Sequence, residues 1–170
     1  RGLFCALRIY SPLEIIIIIL SYKKEILQMA HKIREVYIVH HSHTDVGYTD
    51  LQEQVIYNQA NNIRRAVELI EEGLEKGTNQ KDLKWNCETW YCVEQFLKAA
   101  TKEEKKTFFD LVKKNSIGLS ANYLNFNDLA DCEYQTEKIH DMQEVCAKEG
   151  ITVKTAMFAD INGISMGQRD

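Results

Sequence analysis

The chain lacks several things that would place a protein quickly. It has no Cys-x-x-Cys pair, and its five cysteines (Cys5, Cys87, Cys92, Cys132 and Cys146) are odd in number. That argues against a zinc finger and a disulfide framework, and it fits a reducing cytoplasm in which most thiols are packed away. No basic block interrupts a net charge of −4, so nucleic acid is not expected as a partner. The longest apolar run, Leu13–Leu20, contains Glu14. It is far shorter than the about 20 residues a membrane-spanning helix needs, so no membrane partner is expected. No small-residue cleavage site follows that run, which argues against a signal peptide. After Met29 there is no low-complexity stretch and no linker. At 170 residues the chain suffices for one domain, whose core would bury about two-thirds of its unfolded surface.

Residues 1–28 differ from the rest. They hold the only proline, Pro12, and five consecutive isoleucines, Ile15–Ile19, and they lack an initiator Met. Translation is expected to start at Met29, since Lys24-Glu25 can be encoded by a ribosome-binding sequence just upstream. Residues 1–28 are then a non-native upstream extension, with a genuine N-terminal strand or helix as the alternative. Residues 29–170 are expected to form the domain.

From Glu35 onward, strand and helix signals alternate. "EVYIVH" (Glu35–His40) is a short β-branched and aromatic run that predicts a buried strand. Leu51–Lys76 carries Val55, Ile56, Ile63, Val67, Ile70 and Leu74 at helical spacing, with Gly77 as a stop. "LKWNCE" (Leu83–Glu88) predicts a second strand and Thr89–Ala99 a helix. Thr101 and Glu104 form a capping box for a helix reaching about Lys114. "SIGLSANYL" (Ser116–Leu124) predicts a third strand, Cys132–Glu149 a helix ended by Gly150, and "VKTAMFAD" (Val153–Asp160) a fourth strand. Strands separated by helices point to an α/β fold with a parallel sheet, whose chemistry collects at the C-terminal strand ends.

Polar clusters stand at all four expected exits: "HSHTD" (His41–Asp45), Glu88, Asn127-Asp128 and Asp160. Side chains alternate along extended backbone, so His41, His43 and Asp45 share one side. An imidazole and a carboxylate so placed can hold a divalent metal, with zinc, cobalt and manganese all suited to nitrogen and oxygen ligands. The same residues could instead be solvated or hydrogen-bonded loop groups. Asp160 could present a carboxylate to that pocket as ligand or nucleophile, or merely cap a turn before Asn-Gly. His40 is expected in the core or behind the metal ligands, and His41 as their outer support. Cys87 and Cys92 are expected as packed thiols and His140 as a solvent-facing helix residue. Glu88, Asn127 and Asp128 could line a ligand pocket or make structural hydrogen bonds.

"HSHTDVGY" (His41–Tyr48) resembles the H-S-H-N-D-P-G-W signature of family 38 glycoside hydrolases, the class II α-mannosidases. "WNCETWYCVEQFL" (Trp85–Leu97), "SIGLSANYLNFNDLAD" (Ser116–Asp131) and "MFADINGI" (Met157–Ile164) resemble later segments of that family in the same order. The resemblance spans about Val36–Ile164 and implies the first half, about four βα units, of a (β/α)-barrel catalytic domain. It further implies His43, Asp45 and Asp160 as zinc ligands, and Asp160 as the nucleophile of a retaining glycosidase. Tyr48 stands where the family's tryptophan stacks under the sugar, with Asp128 nearby as a substrate contact. The expected substrate is a terminal α-mannoside or related carbohydrate, hydrolysed through a covalent glycosyl-Asp160 intermediate. The general acid and a further histidine ligand would lie beyond Asp170, so Arg1–Asp170 alone is expected to be inactive. Thr44, Val46 and Tyr48 replace the family's Asn, Pro and Trp, and Ile161, Asn162 and Ile164 replace Pro, Phe and His. These changes bear on mannose specificity more than on glycosidase chemistry. Two other readings stand beside this one: a barrel metallohydrolase of the phosphoesterase or amidohydrolase kind, because "HSHTD" also contains H-x-H, and a non-catalytic carbohydrate-binding fragment.

Overall fold

The computed structural model describes residues 35–125, 132–161 and 163. The chain divides into two units, Arg1–Ile38 and Val39–Asp170, and all the elements below belong to the second. Asn127, Asp128 and the expected extension at residues 1–28 lie outside the described residues.

The longest element is α1, Gln52–Lys76, and its burial follows one helical stripe. Val55, Gln59, Ile63, Ala66, Ile70 and Gly73 recur every three or four residues and face the core. Leu74 falls off that stripe and is exposed, and Ile56 is only partly buried, so apolar character there does not mark the core face. Gly77 ends the helix in the left-handed conformation, where a residue without Cβ is least strained. A single 3₁₀ turn, Asn79–Asp82, folds back against Gly73.

Two further helices follow in quick succession, α2 at Trp90–Ala99 and α3 at Lys102–Lys113. The expected capping box is present. Thr101 Oγ1 accepts from the Glu104 amide at 3.2 Å, while the Glu104 carboxylate accepts from the Thr101 amide at 2.7 Å. Phe96 of α2 and Phe108 of α3 meet with ring centroids 5.1 Å apart, and neither is more than marginally exposed. Burying each such ring contributes on the order of 1.5–3 kcal/mol. Met142 and Cys146 of α4, Cys132–Lys148, join the same core.

Between the helices lie two short strands, β1 at Trp85–Asn86 and β2 at Ile117–Gly118, paired in parallel with Trp85 opposite Ile117. On the other side of β1, His40 bridges Trp85 in parallel, and the Asn86 amide donates to the His40 carbonyl at 2.7 Å. The strands expected at Leu83–Glu88 and Ser116–Leu124 are thus real but much shorter than their apolar runs. The two other expected strands are corrections. Glu35–Val39 carries no ladder, and Val39 and His40 are exposed rather than buried. Val153–Asp160 lies beside the third segment but has no regular ladder. One backbone bond, Ala121 N–H to Thr155 O at 2.8 Å, joins them. Side chains make the other links: Ser120 Oγ accepts from the Met157 amide, and Asn122 Nδ2 donates to the Met157 carbonyl. Both backbone groups of Met157 are thereby taken up by side chains rather than by a ladder. A parallel strand pair joined by helices is the unit from which α/β folds are built.

Candidate metal centre

His43 and Asp45 sit in the loop that leaves His40, two residues apart, and Asp160 arrives from the far end of the described chain. His43 Nε2 is 3.3 Å from Asp45 Oδ1 and 3.7 Å from Asp160 Oδ2. One ligand atom from each of the three lies within 4.8 Å of the others. Although the His43 ring is partly exposed, Nε2 itself is shielded from solvent and has no hydrogen-bond partner among the described residues. A buried ring nitrogen without a partner, faced by two carboxylates, is the donor arrangement a divalent cation satisfies. The residues therefore fit the expected metal.

The loop is held from behind. Gln59 of α1 donates through Nε2 to the His43 carbonyl at 2.6 Å, and Asn62 donates to Ser42 Oγ at 3.0 Å. Thr44 is buried, its hydroxyl 3.2 Å from Cys92 Sγ of α2. These contacts alternate with the ligands, so the odd-numbered side chains, His43 and Asp45, are left to face the pocket. Burial pushes the thiols of Cys87 and Cys92 up, in keeping with packed rather than reactive cysteines.

Of the two roles open to Glu88, the structure shows the hydrogen-bonded one. It does not line the pocket; its side chain is 0% exposed and lies behind His43, with Oε1 2.8 Å from His43 Nδ1. That hydrogen bond, reinforced by the charges of Glu88, Asp45 and Asp160 and opposed by partial burial, raises the His43 pKa above its ordinary value. His41 stands nearby as expected, Nδ1 3.9 Å from Glu88 Oε1. His40 does not; it is exposed, because it lies at the outer side of the β1 pairing. His140 is exposed on α4, as expected.

Asp160 has φ +52°, the left-handed region that Asp tolerates better than most residues. Its side chain is 83% exposed, so the carboxylate is accessible from solvent. His43, Asp45, Tyr48 and Asp160 line one open depression of about 330 Å³. Tyr48 is 91% exposed at its edge. Asn125 also lines it and was not among the expected site residues. Its Oδ1 accepts from Asn122 Nδ2 at 3.0 Å and from the Ala159 amide at 3.4 Å, tying the third segment to the backbone beside Asp160. The one available signal was its place at the exit of the third strand, two residues before Asn127. A larger groove of about 540 Å³ passes Asn86, Gly118 and Thr155 but has no imidazole or carboxylate in its walls. Ligand chemistry, not volume, therefore selects the smaller depression.

Among the described residues, no helix is long and apolar enough to cross a membrane. No family model, curated protein or solved structure matches the chain.

Proposed function

We propose that this chain carries the divalent-metal and nucleophile half of a retaining glycoside hydrolase active site, of the α-mannosidase type, built on an α/β barrel. The observation that carries the reading is the convergence of His43, Asp45 and Asp160 around the unpartnered Nε2, with Tyr48 exposed at the rim of the same depression. His43, Asp45 and Asp160 would hold the cation, with zinc the first choice for one nitrogen and two oxygen donors. When bound, such a cation supplies Lewis acidity and a fixed anchor for vicinal hydroxyls, which favours a sugar whose 2- and 3-hydroxyls are cis.

The protein's own groups account for the rest. Tyr48 presents an aromatic face under the apolar side of a pyranose. The exposed Asp160 carboxylate attacks the anomeric carbon; the new C–O bond forms as the glycosidic C–O bond breaks, and the electron pair leaves with the aglycone oxygen. Water then cleaves the glycosyl ester with net retention. A metallohydrolase would also use Asp160 as a ligand, but only the glycosidase reading makes it the attacking group, so a covalent adduct on Asp160 separates the two.

A 5-fluoro-mannosyl fluoride tests this directly, because fluoride departs without a protonated leaving group. The zinc-loaded chain is expected to gain one fluorohexosyl group, mapped to Asp160 by peptide mass spectrometry and absent in Asp160→Ala. An adduct on another residue, or one that forms equally in Asp160→Ala, would overturn the assignment.

A further inference from the structure

Glu88 occupies the turn between β1 and α2, where the backbone is pinned on both sides. The Cys87 amide donates to the Gly118 carbonyl at 2.9 Å and the Trp90 amide to the Asn122 carbonyl at 2.8 Å. The side chain is wholly buried and reaches His43 Nδ1 at 2.8 Å through Oε1. Its other oxygen, Oε2, is also buried and has no hydrogen-bond partner among the described residues. Burying a carboxyl group is costly unless it is fully paired, so packing alone would favour an apolar side chain or a satisfied amide here. The one good contact Glu88 makes is to the back of the ring whose front faces Asp45 and Asp160.

We infer that Glu88 is a positioning residue for the metal centre: it accepts the Nδ1–H of His43 and so leaves the Nε2 lone pair directed at the site. A carboxylate has no proton to give, so the hydrogen in this contact belongs to His43 and fixes both ring tautomer and ring orientation. Histidines that ligate metals characteristically donate their second N–H to such a partner, and losing that partner costs about 10–100-fold in metal affinity. A glutamine could still accept that N–H through its amide oxygen, whereas a leucine at this position accepts nothing and releases the ring from the Nδ1–H tautomer. Glu88 would thus act through His43 without touching substrate. The inference rests on the metal-centre reading above, but not on the sugar.

Two measurements test it on the full chain. Nitrogen-15 NMR of the metal-free protein reports the His43 tautomer, and chelator competition with zinc(II) reports affinity. Read at a pH high enough for the ring to be neutral, wild-type His43 is expected as the Nδ1–H tautomer. Glu88→Leu is expected to shift it toward Nε2–H and to bind zinc about 10–100-fold more weakly, with an unchanged circular dichroism spectrum. A wild type that binds zinc but shows Nε2–H in the metal-free state would overturn the role of Glu88, whether or not the variant folds. A folded Glu88→Leu that binds zinc as tightly as wild type would do the same. Nδ1–H His43 in a wild type that takes up no zinc would instead sink the metal-centre reading, and the positioning role with it.

Discussion

His43 Nε2 and Asp160 Oδ2 lie 3.7 Å apart although they come from opposite ends of the described chain. Asp160 reaches this position from a left-handed backbone, with φ +52°. Strain of that kind costs about 1–3 kcal/mol per residue and is retained where function demands it. Asp160→Gly should therefore raise the melting temperature of the metal-free protein, by up to about 1 kcal/mol of stability once glycine's extra unfolded-state entropy is counted. Zinc affinity should collapse in the same variant. Asp160→Ala should lose zinc without the gain in stability. Thermal melts and chelator competition on the two variants check this; an unstable Asp160→Gly would show that the conformation is not strained.

Tyr48 offers a cleaner separation of binding from folding. Its side chain packs on little, so Tyr48→Ala should change stability by no more than about 0.5 kcal/mol. Loss of a stacking face should weaken sugar binding by about 0.5–1.5 kcal/mol, roughly two- to twelvefold, with Tyr48→Trp retaining affinity. Titration calorimetry with a methyl mannoside reads the binding, and a melt reads the stability.

Gly73 and Gly77 should respond to substitution for different reasons. Helix propensity alone would make Gly73→Ala stabilising by about 1 kcal/mol. A Cβ at Gly73, however, would lie 2.2 Å from the Lys81 amide nitrogen and 2.5 Å from the Gln80 carbonyl carbon. Backbone atoms cannot step aside, so Gly73→Ala should destabilise by about 2–3 kcal/mol. At Gly77 nothing lies within 4 Å and only the φ of +66° matters. Gly77→Ala should cost about 1 kcal/mol, and Gly77→Asn less, because Asn tolerates that region. Urea melts of the three variants decide it.

The capping box makes stability depend on pH. The Thr101 amide first, and then the Arg64 guanidinium 2.8 Å away, hold the Glu104 carboxyl below its ordinary value near 4.5. A depressed folded-state pKa stabilises the protein above the unfolded value, and that contribution is lost as pH falls through the folded one. The stability gap between wild type and Glu104→Gln should be largest near neutrality and shrink below pH 4.5. Thr101→Ala should cost about 0.5–2 kcal/mol at neutral pH. A gap that stays constant on acidification would contradict the ionised capping box.

Local signals carried the helices. α1, its stop at Gly77, α3 and the Thr101–Glu104 box were all legible, because helical periodicity and caps are set by residues within a turn or two of each other. His43 and Asp45 were legible as a pair for the same reason: extended backbone puts residues two apart on one side. Strand lengths were not. β1 and β2 keep two residues each, and Val153–Asp160 is joined mostly through Ser120 and Asn122, because ladder formation depends on which distant segment supplies the partner. Nor could composition show that Glu88 stands behind His43 rather than in front of it, or that Asn125 ties the third segment to the backbone beside Asp160. Those placements follow from the parallel register of β1 and β2 and from the packing of α1 and α2 behind the loop, which only the folded chain decides. Residue types and spacing mark the groups able to bind a metal; folding brings His43, Asp45 and Asp160 together and sets Glu88 behind the ring that faces the other two.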